Sequence, residues 1–144
     1  MEEKMKRFFH RADKGQSFTE LAFVLPILLI MVAGAVDLSR IYLSYMSLRD
    51  AAQEGANFGS IAPTETDNIE ERVRTYSNFP TDLSDTSTVH VTITTDPNPC
   101  VGKQITVKVT QDFKVTTPLI GAVIGQNFPI NAYVSNTILS PQCP

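Results

Sequence analysis

Histidine and cysteine are scarce in this chain, two of each among 144 residues, and several chemistries lapse for want of them. His10 falls in a basic N-terminal stretch, and His90 takes the polar side of a predicted strand, where a solvated imidazole is the ordinary role. Nothing in the sequence places a serine and an aspartate beside His90 to make a nucleophilic triad. Cys100 and Cys143 form no CxxC pair and have no histidine cluster near them, so no metal site is indicated. Phosphate-cradling glycine loops and dinucleotide fingerprints are missing too. The sequence therefore predicts no catalytic residue and no cofactor. Positive charge is also short. The formal net charge is −3, whereas a nucleic-acid binder needs a concentrated positive surface to displace phosphate counterions.

What charge there is lies unevenly. Met1 to Lys14 carries eight charges, and Leu21 to Val36 carries none. The chain has room for one ordinary domain and an appendage. The uncharged run, L-A-F-V-L-P-I-L-L-I-M-V-A-G-A-V, spans roughly 24 Å as a helix, against a hydrocarbon core of about 30 Å. Gln16 to Thr19 add uncharged length upstream, broken from the run only by Glu20, and Ile41, Tyr42, Leu43, Tyr45, Met46 and Leu48 continue its apolar character downstream. Pro26 is tolerable in a membrane-embedded helix and should kink it. Tyr42 and Tyr45 suit the level of the headgroups, and Asp37 and Arg40 stand three apart, able to pair on one helix face. Lys4, Lys6, Arg7, Arg11 and Lys14 precede the run, so the N-terminus is expected in the cytoplasm and the remainder outside.

Three readings of this segment compete. It could be an ordinary signal anchor, or a secretory signal cut at Ala33-Gly34-Ala35. It could also be a prepilin-type signal, because K-G-Q-S-F-T-E resembles the site cut by prepilin peptidases. In that reading Gly15 ends a leader, Gln16 becomes the N-terminus, and Glu20 is the fifth mature residue. A carboxylate pushed to mid-membrane costs on the order of 2.5–3.5 kcal/mol, and the new α-amino group on Gln16 would offset it, on a neighbouring subunit as resemblance to type IV pilins implies. The plainer alternative is that Glu20 snorkels to the interface. Cutting after Gly15 would leave seven basic against twelve acidic residues, or −5.

From Gly15 to about Gly59 the chain resembles the TadE/TadG-like minor pilins (pseudopilins) of tight-adherence, Flp or type IVb, pilus systems. The resemblance rests on Gly15 and Glu20, on Pro26 within the run, on Gly34 followed by Asp37 and Arg40, and on A-A-Q-E-G-A at Ala51 to Ala56. Gln53 and Asn57 stand where basic residues are common in the family, and Leu21 where a tyrosine often follows the glutamate. The family implies a non-enzymatic structural subunit in the inner membrane that later reaches the pilus or cell surface. Its implied partners are the lipid bilayer, a prepilin peptidase, an assembly platform with its ATPase, and other pilin subunits, in a homo- or hetero-oligomeric filament. The alternative is an extracytoplasmic binding module, anchored or secreted.

Downstream, the helix is expected to run to about Ser60, ahead of Pro63. Ile41, Tyr45, Leu48, Ala52 and Gly55 or Ala56 make an apolar stripe at helical spacing. Ala52, Gly55, Ala56 and Gly59 would permit close approach of a neighbouring subunit's helix or of this protein's own sheet, the latter being favoured. A second helix is expected over Asp67 to Ser77, with Asp67 as N-cap and Glu70 completing a capping box. Glu70, Glu71, Arg72 and Arg74 read as a solvated face, and Thr81 to Thr88 as a surface loop. The period then switches to two. Val89, Val91 and Ile93, then Ile105, Val107 and Val109, alternate with polar residues around D-P-N-P-C-V-G, which predicts an antiparallel hairpin. Pro118 to Gly125 reads as a short helix or packed loop, and Ile130 to Ile138 as a last strand. Outside the cytoplasm Cys100 and Cys143 would form a disulfide; unpaired thiols are the alternative. The expected fold is α+β and pilin-like, a long hydrophobic helix packed on a small antiparallel sheet. It divides into a leader (1–15), a helix (16–60, membrane part about 17–40) and a β-rich domain (61–144).

Overall fold

The computed structural model describes residues 2–117, 121–122 and 125–143, with side chains from residue 17 onward. The fold is α+β. Helix α1 covers Glu2–Gly59, α2 covers Thr66–Thr75, and strands β1 (Val89–Thr95), β2 (Gln104–Lys114) and β3 (Asn127–Thr137) follow. Contacts divide the chain into two units, Met1–Val36 and Asp37–Pro144. Most of the segment 118–125 for which a short helix or loop was expected lies outside the described residues.

Among the described side chains of the first unit, the large apolar ones are exposed. Phe23 is 78% exposed, and Leu21, Ile27, Leu29, Met31 and Val32 are more than half exposed. A helix this apolar, left bare by its own chain, suits a hydrocarbon solvent. α1 passes through Pro26, whose missing N–H leaves one helical carbonyl without its usual donor.

The second unit holds the core. Strands order β1-β2-β3, both pairs antiparallel. Period-two patterning decides the faces, since successive side chains alternate across a sheet. Ile105, Val107, Val109 and Phe113 of β2 are buried, with Val109 opposite Val91 on one side and Ala132 on the other. The other face is polar. There Thr106 and Ser135 share a hydroxyl–hydroxyl bond of 2.7 Å, and Thr110 donates to Asn131 at 2.8 Å. The β1–β2 turn uses Gly102 at φ 89°, a left-handed geometry that glycine adopts without a Cβ penalty.

The buried face of α1 consists of Asp37, Ser44, Ser47, Leu48, Ala51, Ala52, Gly55, Ala56 and Gly59. Tyr45 does not belong to it. At 40% exposure it lies one residue off the covered face, whose positions nearby are filled by the small Ser44 and Ser47. Small residues let the sheet come close, and a tyrosine there would hold it away. Further along the helix the fit is tight. A Cβ on Gly55 would fall 2.5 Å from Val73 Cγ2, and one on Gly59 would fall 2.5 Å from Ile105 Cδ1.

α2 starts differently from the expected capping box. Glu65, not Asp67, is the N-cap, and no side chain caps the helix. Ile69 and Val73 face the core. The charges on the other side are not simply solvated. Arg74 pairs with Glu70 at 2.7 Å and donates to the Leu83 carbonyl at 3.2 Å. Arg72 stands 3.5 Å from Glu54 and 5.0 Å from the Phe58 ring centroid. The segment from Thr81 to Thr88 buries Thr81 and Leu83 and is built from local turns. Asp85 accepts bonds from the Ser87 N–H and hydroxyl at 2.9 and 2.6 Å and from the Thr88 hydroxyl at 2.8 Å.

Two predictions follow from this packing. Gly55→Val should destabilise the second unit by about 1–3 kcal/mol through overpacking, read as a lowered melting temperature of the detergent-solubilised protein. The Ser87 and Thr88 bonds hold the Asp85 carboxyl below its usual 3.8. A depressed folded value means that the contribution is present above the unfolded value and is lost as pH falls through the folded one. An Asp85→Ala variant should therefore show a flatter loss of stability in acid, below about pH 4, than the parent protein in parallel melts.

Candidate functional site

The helix carries the residues singled out above. Gly15 and Gln16 lie within the helical backbone of α1. Glu20 is exposed and has no hydrogen-bond or ion-pair partner among the described residues. Such a carboxylate is free to meet a positive group from outside the chain.

Asp37 is arranged quite differently. It is only 3% exposed, and a buried carboxylate requires partners. Arg40, one turn on, brings Nη1 to 3.7 Å from Oδ1, close enough for charge attraction but long for a hydrogen bond. The better bond comes from elsewhere, with the Thr117 N–H donating to Oδ2 at 3.0 Å. Arg40 in turn donates to the Thr116 hydroxyl, and its guanidinium lies 5.5 Å from the Phe113 ring centroid. Asp37 and Arg40 are thus less a surface ion pair than a clamp on the chain leaving β2. Helical spacing reveals the first partner and not the second, because a backbone N–H eighty positions away leaves no periodic signal.

Ala52, Gly55, Ala56 and Gly59 are all buried within the second unit. The neighbours of Gly55 and Gly59 are Ile69 and Val73 of α2 and Ile105 and Val107 of β2, so the close approach these glycines permit is already taken by this chain.

At the far end Cys100 and Cys143 are joined, S–S 2.03 Å, closing a loop with a sequence separation of 43. In the chain-entropy model a loop of that length is worth about 4 kcal/mol. Backbone bonds surround the link. Val101 N–H donates to the Pro141 carbonyl at 2.9 Å, Gly102 N–H to that of Ile138 at 3.0 Å, and Leu139 N–H to that of Ser60 at 2.7 Å. The tail is therefore fastened both to the β1–β2 turn and to the end of α1. Among the described residues no group of three or more His, Cys, Asp or Glu side chains could hold a metal ion.

The helix and its clamp also resemble a known family. Residues 15–57 match the model of the TadE-like protein family. Over that stretch the chain is similar to the TadE-like family. The TadE-like match begins on Gly15 and takes in Glu20, Pro26, Asp37, Arg40 and the Ala51–Ala56 block. It stops at Asn57, so α2 and the sheet lie beyond it. TadE-like proteins are pilus-associated and structural. No curated protein and no solved structure matches the chain. By length and composition the apolar helix is able to cross a membrane.

The clamp yields a test. Asp37→Ala removes the acceptor of the Thr117 N–H and the counter-charge of Arg40, at an expected cost of about 1–3 kcal/mol. Hydrogen exchange at Thr117 should accelerate, while exchange in the middle of β2 should change less. Asp37→Asn, which keeps an acceptor oxygen, should retain part of the protection.

Proposed function

We propose that this TadE-like chain is a pilin-like structural subunit of a tight-adherence pilus, built into the filament or its tip and serving surface adhesion or secretion. The observation that carries the reading is the family match starting on Gly15, with Glu20 five residues on and a helix able to cross a membrane immediately behind. In this reading the chain sits once across the inner membrane. The basic residues before the run hold the N-terminus in the cytoplasm and the β-rich unit outside. A prepilin peptidase cuts after Gly15, and residues 1–15 are the leader it removes. The α-amino group of Gln16 then pairs with Glu20 of a neighbouring subunit, which relieves the cost of a carboxylate at the mouth of an apolar helix.

The same reading assigns the assembly contacts to the upstream half of α1. Ala52, Gly55, Ala56 and Gly59 face this chain's own core, so a neighbour's helix is left the exposed apolar side chains from Leu21 to Val32. The assembly platform, its ATPase and other pilins are the partners this requires.

Sequencing the N-terminus of protein recovered from membranes tests the proposal. Gln16 is the expected first residue; Val36 would mean a conventionally cleaved secreted protein, and Met1 an uncut anchor. Glu20→Ala should remain in the membrane fraction at parental levels and be depleted at least tenfold from sheared filaments. Parental incorporation of that variant would contradict the role given to Glu20.

A further inference from the structure

The second unit carries a groove of about 500 Å³ whose lining includes Arg40, Leu43, Phe79, Pro80, Phe113 and Lys114. Its apolar part is unusually bare. Phe79 is 82% exposed, the highest value among the exposed large hydrophobic residues described, and Leu43 is 49% exposed. Its polar part is charged. The guanidinium of Arg40 and the ammonium of Lys114 share the lining with the carboxylate of Asp112, and with Asp37 beside Arg40 the local charge balances to zero. Lys114 has no ion-pair partner among the described residues.

Position along the chain says what such a groove meets. Arg40 and Leu43 follow Val36, the last residue of the uncharged run, by four and seven positions, about one and two helical turns. Leu38 and Tyr42, exposed at 67% and 61%, add bare apolar side chains on the turns before Leu43. An aromatic side chain beside a proline, flanked by two cations and one anion, matches the boundary between headgroups and acyl chains. There a ring finds apolar cover while the charged ends stay wet. The Lys114 ammonium suits a lipid phosphate, and Asp112 suits the positive end of a zwitterionic headgroup.

We infer that this groove is a lipid site, taking the headgroup and upper chain of a zwitterionic phospholipid, with Phe79 set among the acyl chains. The inference rests on the membrane insertion proposed above. It gives the β-rich unit a second hold on the bilayer, one that must be released when a subunit leaves the membrane for a filament.

The chain contains no tryptophan, so a single Phe79→Trp substitution reports on this position alone. The full chain is reconstituted in phosphatidylcholine vesicles with or without bromine on the acyl chains, which quenches nearby indoles. Phe23→Trp, in the apolar run, and Tyr133→Trp, at a side chain 72% exposed on the sheet, are the controls. Emission from Phe79→Trp should be blue-shifted and quenched at least half as strongly as from Phe23→Trp, with Tyr133→Trp unaffected. Adding Lys114→Glu should reduce the quenching. Should Phe79→Trp behave like Tyr133→Trp while Phe23→Trp is quenched, the lipid site is wrong and the membrane reading stands. If Phe23→Trp also escapes bromine, membrane insertion fails and the lipid site with it. A blue shift without quenching, growing with protein-to-lipid ratio, would assign the groove to a second copy of the chain and overturn the inference.

Discussion

The structure turns on a change of surroundings along one helix. From Leu21 to Val32 the side chains of α1 are exposed, and from Asp37 one face is buried under a sheet and a second helix. The two stretches need opposite sequences. The first is apolar on every side, as a helix in hydrocarbon must be. The second is apolar on one face only, and that face is made of small residues. Ala51, Ala52, Gly55, Ala56 and Gly59 bury little area each. Their contribution is to bring Ile69, Val73, Ile105 and Val107 close enough for those larger side chains to lose their water.

Asp37 marks the change, and its bonding explains how the second unit is fixed there. The Thr117 N–H and the Arg40–Thr116 contact hold the exit of β2 to α1 at the start of the buried face. The Leu139 N–H, bonded to the carbonyl of Ser60, holds the exit of β3 at its end. The Cys100–Cys143 link then fastens the tail to the β1–β2 turn. A pilin-like role asks for such fastening, since a domain drawn along by its helix transmits load through these junctions.

Much of this was legible in the residues, for reasons that differ by element. The sheet was legible because alternation with a period of two ran clean through Val89–Ile93 and Ile105–Val109. The end of α1 was legible because Pro63 allows little beyond Gly59. Other features were hidden. Tyr45 fitted the apolar spacing, yet hydrophobicity says nothing about how close the partner comes, and close approach favoured Ser44 and Ser47. Asp67 had the chemistry of a cap, but the chain entered α2 two residues earlier with no side-chain bond at all. The clamp was half visible. Arg40 is a helical neighbour of Asp37, while Thr117 becomes one only when the sheet forms. Gly15 and Glu20 were singled out by family resemblance, and Glu20 has no hydrogen-bond or ion-pair partner among the described residues that would have done so.

The central claim is that α1 serves two environments divided near Asp37. Single nitroxide labels placed in turn from Leu21 to Gly59, in the full chain reconstituted in bilayers, measure this directly through their collisions with oxygen and with a water-soluble nickel chelate. Oxygen accessibility should be high on every side of the helix to about Val36. Beyond Asp37 it should give way to a helical oscillation with minima at Leu48, Ala52 and Ala56. A helical oscillation running unbroken from Leu21, or nickel accessibility throughout the apolar run, would contradict the division.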